Sequence, residues 1–493
     1  MSDSKSSYRQ IIKTTTLFGG VQIIQILTSI ARGKIVAILL GTAGMGINTL
    51  LNASLTLIVQ FASLGINFSA VRDISQANNS GDVQGLGKTV KIFNILIYFC
   101  AALGLFTMVI GSYWLSKYTF GNGSYTMSFI WLSLAVTFTI LNSGNITLLQ
   151  GMQNLKDMAR ASLVGSLGGL ILSLPFYYLY GEKGIIPALI AAAFFSYCAS
   201  KFYSRKIKFE PQKISFNSFL SEGTGMAKLG IAMMVSTLIG SVVNYLINSY
   251  IGKFGSIAEV GLYGAGVSIT NQYVGVIFTA MAVDYFPRLS AVCDDEKKIN
   301  EVVNQQAEIV VLIILPLLII MILSAPLLIK ILLSKQFLDI TTFIYWVSFG
   351  LLFKAASFAM GYISFAKGDK KTFFLFEGVT GSVLILTCNI AGYTIGGLNG
   401  LAMSVLISYI IYFFAVLVLT RKLYNFHLKN SFIKIFIKAI VLVLTVLILM
   451  LLKQNLISYI VSLVILVVAL YLSYYELNKR IGIRSLIMNR IKR

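Results

Sequence analysis

Apolar positions along this chain come in long unbroken runs, without the strict alternation that a half-buried strand needs. Ile309–Ser324, Ile344–Phe365, Leu401–Thr420, Ile435–Leu452 and Ile457–Leu472 are such runs. Each approaches or reaches the roughly 20 residues that carry a helix through a 30 Å hydrocarbon core. Lipid offers the backbone no hydrogen-bond partners, so a spanning segment must be a helix or part of a closed barrel. Runs of this kind select helices. The pattern predicts fourteen of them, near residues 14–40, 46–70, 92–114, 126–150, 162–180, 185–200, 226–251, 261–285, 305–325, 340–365, 373–392, 399–420, 433–452 and 455–475. The expected fold class is therefore an all-α polytopic membrane protein.

Composition agrees. The 493 residues are 57% hydrophobic and 12% charged, with a mean hydropathy of +0.82, where soluble proteins carry about 25% charged residues. No cleavage-site pattern precedes the first run, so no removable signal peptide is expected. Cys100, Cys198, Cys293 and Cys388 are scattered singly and His427 is the lone histidine. These residues support neither a disulfide framework nor a CxxC site. A His-based metal site or general base is equally unsupported, and no cofactor is expected.

A net charge of +22 raises the question of nucleic acid. Its placement answers that question. With the N-terminus inside, 31 of the 40 Lys and Arg residues fall on the cytoplasmic side, 6 fall on the other, and Arg32, Lys34 and Lys354 lie within spans. That bias follows the positive-inside rule. Both termini are expected in the cytoplasm, with the basic stretch after Ile481 lying along the membrane surface. The charge serves topology and attraction to anionic membrane lipid, and no nucleic-acid partner is expected.

The chain also repeats itself. Lys13 to Gly46 and Lys228 to Gly261 are both 33 residues. Gly46 to Arg72 is 26 residues, and Gly261 to Arg288 is 27. The basic loops that begin at Gln153 and Gly368, carrying Lys156 and Lys370, each lie 107 residues beyond Gly46 and Gly261 respectively. Two pseudo-symmetric six-helix lobes are expected, residues 1–215 and 216–425, followed by helices 13 and 14 and a basic tail over 426–493. An even number of helices gives the lobes one orientation, so they relate by an axis along the membrane normal. Rocking of the lobes about a cleft follows from that symmetry.

Polar residues stripe the corresponding first and second helices of each lobe. Gln22, Gln25, Ser29 and Arg32 share one face of helix 1, and Asn48, Asn52, Thr56 and Gln60 one face of helix 2. Thr237, Ser241, Asn244 and Asn248 stripe helix 7, and Ser268, Thr270, Asn271 and Gln272 lie on helix 8. Such stripes either glue helices together or face a wet cavity; four in symmetric positions favour the cavity. Arg32 and Lys354 are the two cations whose placement costs most, about 2.5–3.5 kcal/mol each on insertion scales. A cavity holding them suits an anionic cargo, with a diphosphate the natural candidate. The expected cavity residues are Arg32, Lys354, Gln25, Asn52, Asn244, Asn248, Asn271 and Gln272. Asp284 and Glu377, near the inner ends of their helices, are the candidates for ion or proton coupling.

Gly85-Leu86-Gly87-Lys88-Thr89 imitates the end of a phosphate-binding loop, but the required first glycine would fall at Asp82 and no strand precedes it. With no other nucleotide signature, transport would draw on an ion gradient, the membrane potential or substrate mass action.

Several segments together carry a family resemblance. They are Ile30-Ala31-Arg32-Gly33-Lys34-Ile35-Val36-Ala37 with Gly41-Thr42-Ala43-Gly44-Met45-Gly46-Ile47, then Val260-Gly261-Leu262-Tyr263 with Phe286-Pro287-Arg288-Leu289-Ser290. Leu332-Leu333-Ser334-Lys335-Gln336-Phe337 follows, with Lys354, Gly361-Tyr362 and Ala366-Lys367 downstream. In order and spacing these resemble the Wzx-type flippases of O-antigen and enterobacterial common antigen, in the multidrug/oligosaccharidyl-lipid/polysaccharide (MOP) exporter superfamily. The resemblance implies a V-shaped, MATE-like transporter in the bacterial inner membrane. It would move undecaprenyl-diphosphate-linked oligosaccharide from the cytoplasmic to the periplasmic leaflet by alternating access, as a monomer and without catalysis. It implies that Arg32, Lys354 and Glu377 match family positions, and that Asn271 stands where relatives can carry an acid. A polysaccharide polymerase and a chain-length regulator are the protein partners it suggests. The competing readings are a cation-coupled multidrug exporter of the same superfamily and a membrane polymerase or glycosyltransferase. The first would place carboxylates deep in a lobe; the second would need a large outer loop or an acidic cluster.

Overall fold

The structure is a computed structural model that describes residues 2–80, 82–207, 209, 216–452 and 455–481; within them, the side chains of 2–19, 216–222, 232, 236, 276, 279–284, 370, 377 and 481 are not described. All regular structure among the described residues is helical. In chain order the helices are α1 (Ser2–Ala62), α2 (Ile66–Asn79), α3 (Val83–Phe120), α4 (Thr126–Gly151), α5 (Leu155–Tyr180), α6 (Ile185–Ser204) and α7 (Phe216–Phe254). There follow α8 (Ile257–Ser290), α9 (Glu296–Leu332), α10 (Thr341–Ala366), α11 (Lys370–Phe373), α12 (Gly381–Tyr424), α13 (Asn430–Leu452) and α14 (Leu456–Ile481). A seven-residue π segment, Phe374–Thr380, joins α11 to α12.

Glycines divide the longest helices into the predicted spans. α1 breaks at Gly41, whose φ of 66° is left-handed, and α12 breaks at Gly396–Gly397, where Gly397 has φ 56°. A side chain there would be strained, and glycine adopts the turn at no steric cost. Between α5 and α6 a single 3-10 turn, Gly181–Gly184, reverses the chain. The predicted spans 14–40 and 46–70 differ from the structure in one respect. The second ends at Ala62, because Leu64 (φ 48°) and Gly65 (φ 63°) turn the backbone left-handed before α2 begins. Gly65 abuts the backbone of Gly230 on α7, leaving no room for a Cβ on either residue.

Packing groups the chain into two compact units, Met1–Gly261 and Leu262–Arg493. α7 belongs with the first, because it packs along α1, α2 and α3. Hydrogen bonds between helices stitch that unit. The Thr119 hydroxyl meets the Tyr245 hydroxyl at 2.9 Å, and Asn145 donates to Ser200 Oγ (3.1 Å) while accepting from the Ser204 hydroxyl (3.2 Å). Gly46 and Gly261, equivalent in the sequence repeat, face each other's helices. A Cβ on Gly46 would overlap the Ile257 carbonyl, and one on Gly261 would overlap the Thr42 carbonyl. Small residues four apart on both helices permit this backbone approach.

In the second unit, α9 forms the centre, buried along most of its length and packed by α10, α13 and α14. One face of α9 carries Glu296, Asn300, Asn304 and Glu308 at intervals of four, and all four hold the C-terminal hairpin. Asn425 Nδ2 donates to Glu296 (3.3 Å). The Asn300 side chain accepts from the His427 amide (2.7 Å) and donates to the Asn425 carbonyl (3.2 Å). Asn304 donates to the His427 carbonyl (3.0 Å) and accepts from the Lys429 amide (2.8 Å). Glu308, with only 8% of its side chain exposed, accepts from the Ser431 hydroxyl (2.5 Å) and from Arg480 Nε (2.6 Å). Arg480 pairs with Glu476 as well. Outside the spans, Asp369 caps α11. The Thr372 hydroxyl and amide, joined by the Tyr424 hydroxyl, hold its carboxyl below the ordinary range.

Two outcomes test this packing. Arg480→Met strands the Glu308 carboxylate and should cost on the order of 3 kcal/mol, read as a lower thermal midpoint in detergent. An unchanged midpoint would show that the ladder does not hold the hairpin. Gly261→Ala should lower the midpoint sharply. Gly240→Ala, in open space on α7, should leave it unchanged or raise it by up to about 1 kcal/mol equivalent.

Candidate functional site

The predicted cavity residues divide between the two compact units. In the first, Gln25 and Arg32 are half-buried on the part of α1 that precedes Gly41. Arg32 Nε is buried with no hydrogen-bond partner among the described residues, and its charge reaches the buried Tyr177 of α5. A guanidinium so placed has a donor free for an anion. Asn52 and Asn248 share one device. Asn52 Nδ2 donates to the Asn48 carbonyl (2.8 Å) and Asn48 Oδ1 (3.1 Å). Asn248 Nδ2 donates to the Asn244 carbonyl (2.7 Å) and Asn244 Oδ1 (3.1 Å). Each pair spends its amide donors on its own helix one turn back. Their exposures differ, however: Asn248 is 2% exposed, Asn52 is half-buried and Asn244 is exposed. Asn248 thus lies inside packed protein, away from any open face. Asn244 presents the polar surface.

In the second unit, Lys354 is half-buried at the middle of α10, whose other residues from Leu351 to Ser357 are buried. Its Nζ sits 5.4 Å from the Tyr409 ring of α12 and 5.8 Å from the Phe278 ring of α8. Two aromatic faces attract a cation through their quadrupoles by about 0.5–2 kcal/mol. No ion pair among the described residues includes Lys354. Asn271 lies seven residues before Phe278, on the same face of α8, and is exposed; Gln272 is half-buried and donates to Ser268 Oγ (3.0 Å). The side chains of Asp284 and Glu377, the coupling candidates, lie outside the described residues.

The imitation phosphate loop resolves into a helix start. Asp82 caps α3 by accepting from the Gly85 amide (2.9 Å), which places residues 85–89 in the first turns of the helix.

A profile of the polysaccharide biosynthesis protein family matches residues 35–342. The chain belongs to that family. Within reach of this membership is the lipid III flippase of Escherichia coli (strain K12), 23% identical over 392 residues, which span 77% of this chain and 91% of the flippase. The lipid III flippase of Shigella flexneri matches to the same extent. Among solved structures, an inward-facing multidrug resistance MATE family transporter of the MOP superfamily superposes with a TM-score of 0.70 at 17% identity, covering 81% of this chain and 94% of that one. The lipid II flippase MurJ in an inward closed conformation gives 0.67 at 14% identity, covering 97% and 100%. This polysaccharide biosynthesis family member thus has the MATE/MurJ fold, and it is a multi-pass membrane protein. Nine helices among its described residues, or ten with the bent pair in α7, are long and apolar enough to cross a membrane.

Sequence reasoning missed the aromatic neighbours of Lys354. Tyr409 and Phe278 are unremarkable in apolar runs, and only the fold brings them to the lysine. The structure also separates two kinds of cation in the second unit. Glu308 and Arg480 neutralise each other, whereas Lys354 is held by rings. Lys354→Met should therefore shift stability by less than about 1 kcal/mol, against the larger loss for Arg480→Met, when thermal midpoints are compared. A loss from Lys354→Met as large as that from Arg480→Met would reveal a stranded acid partner.

Proposed function

We propose that this protein is a flippase for undecaprenyl-diphosphate-linked oligosaccharide, an O-antigen or similar surface-polysaccharide repeat unit. It moves its cargo from the cytoplasmic to the periplasmic leaflet of the bacterial inner membrane by alternating access, with both termini in the cytoplasm. Lys354 carries the reading. It is a mid-span cation, half-buried and held by aromatic faces with no carboxylate beside it among the described residues. Arg32 adds a second cation, with a buried and unused Nε donor. An Arg fork and a Lys point charge are each suited to a phosphate group. Gln25, Asn52, Asn244, Asn271 and Gln272 supply amides at graded exposure that suit sugar hydroxyls. The polyprenyl chain stays in the bilayer, since moving it from lipid to protein gains little. Family membership and likeness to a lipid III flippase support the same cargo class. The cation-coupled drug exporter fits less well, because Glu308, the buried carboxylate among the described residues, is already paired with Arg480.

The test is flipping in liposomes loaded with a fluorescent undecaprenyl-diphosphate oligosaccharide. Wild type should deliver the label to the outer leaflet. Lys354→Ala and Arg32→Ala should each slow delivery at least tenfold, the loss of one charge-assisted contact, at unchanged insertion into the liposomes. Folded wild type that does not flip the lipid but exports a cationic dye would overturn the reading.

A further inference from the structure

Three helices of the first unit leave an apolar groove of about 590 Å³ between α4, α5 and α6. Trp131, Phe138, Phe176 and Phe194 line it, and Lys183 and Ser128 stand at one end. The local sequence explains that end. Gly181, with φ 56°, turns α5 into the short 3-10 turn that carries Lys183, and α4 begins beside it at Thr126. The groove's floor is fixed by Phe138 and Phe194, whose rings meet edge to face at 5.1 Å. From Ser128 to Phe138 is ten residues, about 15 Å of helix. That is about half of a 30 Å hydrocarbon core, the depth of one leaflet. The walls are open to the surroundings: Trp131 is 61% exposed and Phe194 47%.

We infer that this groove seats a membrane phospholipid with an anionic headgroup, one acyl chain lying along the aromatic walls and the phosphate at Lys183. An acyl chain leaving bulk lipid gains packing contacts but no hydrophobic transfer energy. Selectivity must therefore come from the headgroup, and Lys183 supplies the complementary charge. The neighbouring Glu182 does not line the groove; its charge acts on Tyr125. The second unit has a comparable apolar groove of about 640 Å³, lined by Phe376, Ile410, Phe414 and Val418 and carrying Lys422.

Trp131 provides a reporter at the site. With Trp114 and Trp346 replaced by Phe, the remaining tryptophan reads quenching by brominated lipid in bilayers of mixed composition. Brominated phosphatidylglycerol should compete with phosphatidylcholine about fivefold better at Trp131, the effect of one basic residue near an anionic lipid. Lys183→Ala should reduce the preference to about one, and Lys183→Arg should keep it. Lys117→Ala, an exposed charge on α3 outside the groove, should leave it intact. Ala191→Phe, which fills the groove wall, should diminish the preference while Lys183 remains. Equal quenching by both lipids in wild type would overturn the inference. So would equal losses from Lys117→Ala and Lys183→Ala, because the attraction would then be diffuse surface charge.

Discussion

A hydrocarbon solvent gives a polar group nothing to bond, and every feature of this protein answers to that constraint. The backbone answers by being helical throughout the spans. Short polar side chains answer by turning back on their own helix. Thr28, Thr49, Ser54 and Ser348 each donate to the carbonyl four residues earlier, and the Asn48–Asn52 and Asn244–Asn248 pairs do so with amides. Residues that cannot be satisfied locally are pooled between helices, and the pooled bonds help to set which helices pack together. The α9 ladder is the fullest case. It holds an irregular stretch, Asn425–Lys429, whose free backbone groups would otherwise be left unpaired between α12 and α13. The side chains of Asn300 and Asn304 pair with that backbone as a neighbouring strand would, so the irregular segment is satisfied without one.

That ladder gives helices 13 and 14 a structural definition which their apolar runs alone did not. The runs predicted two spans beyond the repeat and nothing about their attachment. The signal was nevertheless present in Glu296, Asn300, Asn304 and Glu308, a spacing of four that places all of them on one face of α9. It was hard to weigh because the residues they hold lie more than a hundred positions away. Most of the spans were legible for the opposite reason: an apolar run is a local property, and glycines at Gly41 and Gly397 mark the breaks where the runs divide. Where the expectation for helix 2 overran, the cause was tertiary. Residues 63–65 leave the helix so that Gly65 can meet Gly230, and no local pattern announces a partner on α7.

Legibility of the site followed the same rule. Arg32 and Lys354 stood out because charge is conspicuous in an apolar run. The polar stripes stood out because their period is helical. Spacing could place Asn248 on a stripe but could not say whether that part of α7 would be covered; in the fold it is, and its neighbour Asn244 is not. The aromatic partners of Lys354 carried no signal at all, since phenylalanine and tyrosine are abundant in every span. A stripe therefore establishes a face, while burial alone distinguishes glue from open surface.

The contrast between two cations of the second unit bears most directly on function. Arg480 lies near the end of α14 and is committed: two carboxylates, one of them buried, consume its charge and lock a helix hairpin. Lys354 lies in the middle of α10, where insertion is most costly, yet its neighbours among the described residues are rings that attract a cation without pairing it. A structural role would be served better by an acid partner, because a paired lysine is cheaper to bury than a lone one. Rings leave the ammonium available to a stronger partner arriving from outside the fold, and a phosphate exceeds an aromatic face as a partner for it. An ammonium with only weak contacts among the described residues is suited to an anionic partner.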